Sequence, residues 1–343
     1  MNMDETQSLE AWRALYEAAV NFREIAPWQW MYDDDLFGVQ DPASGEIGYC
    51  CIMGHLKQVF ALNVFLGTEG LFGHRLLQQC AQEGYRPNLV FFQKSLMASF
   101  EDRSDLEKED LAVIKALGLK FRGRNAWPMF RNYRPGYFPW FLEAQDIAFL
   151  ALALEQAFEV VLRCRYSKDL ITTDREDIFF VRRPSQENGS LVWEDSYQQA
   201  ASFEIAIPDD GPFDEVGIQR LLKKTGTRRG GVWEFDLFHY PQPIREKQER
   251  PYFPYTFVVL DHKTGLALDM EIFEIGGYVK NSRDKIIALM ERLKHIPEEI
   301  RVCNGRAFDI LAPLAEKLGF RISNVQRMPH MEEFQEGFIS YLT

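Results

Sequence analysis

Two hydrophobic periods alternate along the chain. Leu9, Trp12, Leu15, Tyr16 and Ala19 recur at helical spacing, which predicts a helix from about Leu9 to Arg23 that Pro27 ends. The period then shortens to that of strands. Phe37 to Val39, Gly48 to Met53 and the run VFALNVFLG read as an antiparallel meander, with DPASGE as one of its turns. TEGLFGHRLLQQCAQEG reads as a helix closed by Gly84, and PNLVFFQKSLMASFED starts as a strand. SDLEKEDLAVIKALG has the cap, early acids and terminal Gly118 of a helix. The prolines of FRGRNAWPMFRNYRPGYFPWFL keep it off a central strand, so it is expected as an edge or a loop. A long helix from about Glu143 to Cys164 closes this half.

The polar stretch RYSKDLITTDREDI then reads as a linker. It divides the chain into an N-terminal domain of residues 1–168 and a C-terminal domain of residues 176–343, joined by 169–175. IFFVRRPSQENGSLVWEDSYQQ is a hairpin, because Asn188-Gly189 suits a turn that needs positive φ. SFEIAIP follows as a strand, FDEVGIQRLLKK as a helix and VWEFDLFHY as a strand. YTFVVLDHKTGLALDMEIFE is a pair of strands about Lys263-Thr264-Gly265. A helix from about Ser282 to His295, a strand in IRVCNG, a helix, a strand from Phe320 to Val325 and a last helix from about Met331 complete the chain. The expected fold class is α+β, two domains of mixed or antiparallel sheets with packed helices.

Composition adds size to this picture. With 27 Phe, 13 Tyr and 7 Trp, both domains have ample large side chains for a core. The net charge of −12 argues against unspecific binding to nucleic acid or anionic lipid, which would be repelled at long range. Five cysteines, odd in number and scattered, read as reduced thiols. The opening MNMDETQSLEAW is too acidic and polar for a targeting segment, so a cytoplasmic location is expected. IAFLALALEQAFEVVL is too short to span a bilayer and carries Glu155 and Glu159, so it is read as a core helix, and no membrane partner is expected.

Candidate chemistry is sparse. No GxSxG, P-loop, HExxH or GxGxxG before a helix occurs, no CxxC is present, and no cofactor or metal is expected. Cys50 and Cys51 are neighbours on a strand and point to opposite faces, so they cannot share a metal. The aspartates of MYDDDLFGVQDPASGE lack EF-hand spacing and read as a solvated turn. KKTGTRRGG follows a helix, where the dipole is wrong for an anion, and reads as a basic helix end. Cys303 stands at a strand end before a helix, a setting that suits either a reactive thiol or plain filler.

Two constellations carry opposing functional readings. Arg122, Arg124, Trp127, Arg131, Tyr133 and Arg134 interleave cations with aromatics, a composition for gripping an acidic ligand or protein, or for stacking on bases. Net charge disfavours nucleic acid as that partner. The reading preferred on this basis is a non-enzymatic binding module with no catalytic residue. The alternative rests on VVLDHKTG, where Asp261 ends a strand beside a glycine turn. From Phe257 to Val325 the order of elements resembles a ribonuclease H-like fold, as found in integrases and transposases. That resemblance implies carboxylates gathered at one sheet edge around two divalent ions. The second acid it implies falls at Cys303, a poor ligand for magnesium. An active enzyme would therefore need Asp269, Glu271 or Asp309 as replacements, with Asp309 either facing water or capping a helix that begins at Ile310. The bland reading of Asp261 is a turn residue that accepts backbone hydrogen bonds.

The run from PWQWMYDDDLFGVQDPASGEIGYCCIMG to FALNVFLGTEGL resembles a family of bacterial proteins of unknown function. The tail from PYTFVVLDHKTGLALDM to LAPLAEKLGF resembles a second such domain that often follows the first. The resemblance implies a bacterial, cytoplasmic protein of two joined domains, and it transfers no activity and no site residue.

Overall fold

A computed structural model describes residues 3–82, 89–203, 211, 214–226, 228–246 and 249–342. The chain divides into two compact units, one of Met1–Pro135 with Pro139–Phe203 and the other of Gly136–Phe138 with Glu204–Thr343.

The first unit runs α1 (Met3–Ile25), β1 (Phe37–Gln40), β2 (Ile47–Met53), β3 (Ala61–Leu66), α2 (Gly67–Gln82), β4 (Ser95–Glu101), α3 (Lys108–Ala116), β5 (Trp127–Tyr133), α4 (Ala144–Cys164), β6 (Ile178–Glu187) and β7 (Ser190–Gln199). Its sheet has the order β5-β4-β3-β2-β1-β6-β7. Every pair is antiparallel except β1 with β6. Strand alternation gives the sheet two different faces. Cys50, Ile52, Leu62, Val64, Leu96, Ala98 and Phe130 lie under α1 and α4 in the main core. Cys51, with Tyr49 and Phe65, belongs to a smaller cluster on the other face, completed by Leu71 of α2. The two adjacent cysteines thus separate as the strand period requires.

The structure moves the domain boundary. The hairpin expected to open the C-terminal domain is β6 and β7, and its Asn188-Gly189 turn has φ of 52° and 79°. But β6 pairs in parallel with β1, Gly38 opposite Val181, so the hairpin extends the first sheet. The division falls after Phe203 instead of within 169–175. A polar composition marks exposed chain, and it does not say which sheet the next strand joins. The aromatic, proline-bearing segment holds β5 at the sheet edge, with Pro128 opposite Phe100. Within PNLVFF, Leu89–Phe91 form a single helical turn, and the strand starts only at Ser95. Gly84 and residues 204–208 of the expected SFEIAIP strand lie outside the described residues.

The second unit runs α5 (Glu215–Thr225), β8 (Val232–His239), β9 (Tyr255–Asp261), β10 (Ala267–Phe273), α6 (Tyr278–Leu293), β11 (Glu299–Val302), α7 (Gly305–Leu318), β12 (Arg321–Asn324) and α8 (Pro329–Leu342). The sheet order is β10-β9-β8-β11-β12. β9 and β10 run antiparallel to their neighbours, whereas β11 is parallel to β8 and to β12. Trp233, Phe235 and Leu237 of β8 face a core built with α5, α6 and α7. Val258 and Leu260 of β9 face the opposite way, against Met328 and Met331 at the start of α8. α7 begins at Gly305 because Asn304 Oδ1 accepts the Ala307 N–H at 2.8 Å. Asp309 is therefore an exposed residue inside α7 and caps nothing, and Pro313 stands within the helix.

Candidate functional site

In the first unit α2 covers only part of its sheet face. The uncovered part is an open pocket of about 690 Å3 whose lining includes Cys51, Met53, Asn63, Phe65, His74 and Met97. Cross-strand register builds its floor, for Cys51 stands opposite Asn63 and Asn63 opposite Met97. α2 forms a wall, and two glycines let it come close. A Cβ on Gly70 would stand 2.6 Å from Lys94 O, and one on Gly73 would be driven into Phe92 O. Only glycine permits that approach, and it carries the next residue, His74, to the pocket.

Two polar side chains stand out here. Asn63 is 4% exposed and His74 7%. Asn63 Oδ1 and His74 Nε2 are both buried and have no hydrogen-bond partner among the described residues. An orphaned buried polar atom costs about 1–3 kcal/mol, so two in one pocket mark a place where a partner belongs. Burial pushes the His74 imidazole down to about 4, so the ring is neutral, with Asp33 opposing and Arg75 adding to the shift. Its ring lies against Phe65 with centroids 4.5 Å apart. Burial also raises the Cys51 thiol above its ordinary range, as do the neighbouring Asp33, Asp34 and Asp35. Cys51 Sγ donates to Asp33 O at 3.2 Å. Tyr133, raised by burial, lines the same pocket, as do Gln78 and Gln93, and Gln93 Nε2 donates to Ser95 Oγ at 2.8 Å.

The six residues of the Arg/aromatic segment separate. Arg122, Arg124 and Arg134 are exposed. Trp127 is half-buried against Phe121 with Arg103 over its ring. Arg131 does not face a ligand: it is buried, and both arms of its guanidinium bind Asp110, at 2.8 and 2.7 Å. Of the six, Tyr133 alone lines the pocket. Trp127, Arg131 and Tyr133 stand at alternate positions of β5, and it is the Asp110 carboxylate that draws Arg131 away, while Arg122, Arg124 and Arg134 lie outside the strand. Asn63 and His74 carried no local motif. The one signal available was a polar residue at the centre of the apolar run ALNVFL.

The carboxylates of the alternative reading do not converge. Asp261 Oδ1 accepts from Thr264 N at 2.9 Å and from Thr264 Oγ1 at 2.7 Å, closing its own turn, and these bonds hold its carboxyl below the usual range. Asp269 pairs with Arg292, Glu271 with Lys285, and Asp309 is exposed. Among the described residues no group of three or more His, Cys, Asp or Glu side chains stands together as a metal site would require. Cys303 is exposed, and its thiol is pushed up to about 11 by desolvation and by Asp236, Glu332 and Glu234, opposite to what a reactive thiolate needs. In the acidic stretch MYDDDLFGVQDPASGE, Asp41 accepts from Ala43 N and Ser44 N, and Asp35 accepts from Tyr32 N and from Lys168 Nζ. Arg229 of the basic KKTGTRRGG stretch donates to Leu318 O, at the carbonyl end of α7.

The carboxylate at the centre of the second sheet is Asp236, on β8. It is buried, and its Oδ1 accepts from Asn304 Nδ2 at 2.7 Å and from Leu237 N at 2.8 Å. Its Oδ2 accepts from Gln335 Nε2 of α8 at 2.7 Å. Burial raises its pKa against these bonds. Two positions along β8, Glu234 Oε1 accepts from His262 Nδ1 at 2.6 Å, while Arg301 Nη1 donates to His262 Nε2 at 2.7 Å. This donor set does not fit a divalent ion of the ribonuclease H type. Asp236 is met by two amides that aim N–H groups at it, where a hard cation needs further oxygen ligands.

Fold and site together describe a two-part α+β protein with a ligand-sized pocket in its first part. The chain matches two family models in succession, a domain of unknown function (DUF7309) over residues 12–182 and a domain of unknown function (DUF6930) over residues 218–339. It is thus a protein of two joined domains of unknown function. No curated protein matches it. No helix among the described residues is long and apolar enough to cross a membrane.

Proposed function

We propose that this protein is a non-enzymatic binding module whose ligand lies in the pocket between α2 and the β2-β3-β4 face. The observation that carries this reading is the pair of buried, unpartnered atoms, Asn63 Oδ1 and His74 Nε2, in one pocket of about 690 Å3. Pockets of this volume hold drug-sized molecules, and a few placed polar groups on an apolar wall are what such sites use for orientation. The site differs from the Arg/aromatic face that composition favours, because Arg131 is committed to Asp110.

A fragment library screened by thermal shift on the full chain tests it, with His74→Trp as the blocked control. Fragments that stabilise the wild type and leave His74→Trp unmoved support the pocket. Equal shifts in both proteins, or none in either, overturn it.

A second reading concerns the second unit alone. Its central strand β8 followed by antiparallel β9 and β10, then β11 and β12 each after a helix, supports a ribonuclease H-like topology with β8, not β9, as first strand. Asp236 is then the first-strand acid, and Asn304 and Gln335 beside it favour a scaffold without the metal chemistry.

A further inference from the structure

The chemistry of the pocket goes beyond the statement that something binds there. Resting on that reading, we infer that the ligand is an uncharged, flat ring compound with a lactam-type edge, an N–H next to a C=O.

Charge is the first discriminator. The imidazole of His74 is neutral, the Cys51 thiol and the Tyr133 phenol keep their protons, and Asn63, Gln78 and Gln93 carry no charge. Among the described residues that line the pocket, the only formally charged side chain is Asp33, and it is exposed. A carboxylate, phosphate or ammonium group entering beside Asn63 and His74 would lose its hydration, and no buried side chain of opposite charge among the described lining residues would offset that loss. A neutral molecule avoids that cost.

Shape and surface are the second. Met53, Val59, Phe65, Leu77, Val90 and Met97 make most of the wall apolar. Two thioethers and the rings of Phe65, His74 and Tyr133 are groups that favour a flat aromatic partner over a bulky aliphatic one. The floor beneath is sheet, with Cys51, Asn63 and Met97 in one cross-strand row.

Hydrogen bonding is the third. Asn63 offers a carbonyl oxygen that no protein group uses. A carboxamide side chain pairs in two-pronged fashion with an N–H next to an acceptor, the geometry by which Asn and Gln read a base edge. The neutral imidazole of His74 offers a further unused ring nitrogen. A ring with a donor and an acceptor side by side satisfies Asn63, and a second polar atom on the ring satisfies His74. A purely apolar ring would leave both orphaned.

The test is a matched probe set titrated into the full chain by ligand-observed NMR: 2-quinolone, N-methyl-2-quinolone, which lacks the donor, and quinoline-2-carboxylate, which is charged. The expected result is binding of 2-quinolone, about tenfold weaker binding of the N-methyl compound, corresponding to one lost hydrogen bond, and no binding of the carboxylate. Asn63→Leu should erase the difference between the first two. Independently of any variant, 2-quinolone should shift the imidazole 15N resonances of His74 in the wild type. If the carboxylate binds as well as the lactam, or the N-methyl compound binds equally, the ligand class is wrong while the pocket stands. If none of the three binds or moves His74, this inference falls, and the library screen against His74→Trp decides separately whether the pocket binds anything.

Discussion

Arg131 and Asp110 form a two-pronged, buried ion pair, with Nη1 donating to Oδ1 at 2.8 Å and Nη2 to Oδ2 at 2.7 Å. Asp110 Oδ2 also accepts the Glu107 N–H at the start of α3, so the pair ties β5 to that helix. Removing one partner leaves the other charge buried alone. Arg131→Ala should therefore cost about 3–5 kcal/mol, read by urea unfolding. A loss under 1 kcal/mol would return Arg131 to the list of ligand contacts.

Asn63→Leu should act in the opposite direction. It exchanges an orphaned amide for a side chain of similar size on an apolar floor, so the unliganded protein should gain about 1 kcal/mol. Thermal denaturation without ligand checks this. A destabilised variant would show that Asn63 has a protein partner.

His74 links stability to pH. Its folded pKa of about 4 lies below the ordinary 6.5. Between those values the unfolded chain binds the proton and the folded chain does not, so stability rises as pH climbs through this window and is fully present above it. His74→Phe should flatten that rise by on the order of 3 kcal/mol. His239 in the second unit, also pushed down to about 4 by burial, adds a similar slope. The measurement is therefore the difference between variant and wild type at pH 4.5 and pH 7.5.

Asp236 links stability to pH with the reverse sign. Burial raises its folded pKa, so the folded chain keeps a proton that the unfolded chain releases. Stability should fall as pH rises from the usual carboxylate range through the folded value, and Asp236→Asn should remove that fall. Asn304→Asp should place a second carboxylate against Asp236 and cost about 2 kcal/mol or more at pH 7. Manganese should recover part of that loss and leave the wild type unchanged. A manganese shift in the wild type, lost in Asp236→Asn, would restore the metal reading.

Gly73→Ala tests how α2 is placed. Its Cβ would meet Phe92 O, which belongs to backbone and cannot swing aside. A loss of about 1–3 kcal/mol is expected, together with weaker shifts from any fragment that binds wild type, because His74 moves with the helix. Unchanged stability and binding would mean that α2 has slack against the sheet.

Much of the secondary structure was legible because it is written in short range. The apolar spacing of α1, the Asn188-Gly189 turn and the helix from Ala144 each depend on residues within a few positions of one another. The site was not legible on those terms. Asn63 and His74 lie on different elements, β3 and α2, and neither has an unusual neighbour in sequence. Asp261 looked like a catalytic acid because it ends a strand before a glycine turn, and those same features let it accept from Thr264. Asp236, in the middle of VWEFDLFHY, carries no local signal, since alternation does not reveal that Gln335 of α8 reaches it.

Local patterning along the chain carries the α+β class, most of the helices and strands, the segregation of Cys50 from Cys51, and an acidic balance with no familiar catalytic motif. Tertiary structure decided that the β6–β7 hairpin joins the first sheet, that β8 is the centre of the second, and which polar groups are left without partners. The physical reason is range. Periodicity and turn chemistry are local, whereas strand order, burial and hydrogen-bond satisfaction are set by residues distant in sequence. Thus a buried carboxylate can be met by Asn304 and Gln335 at 2.7 Å, while Asn63 Oδ1 on β3 and His74 Nε2 on α2 find no hydrogen-bond partner among the described residues.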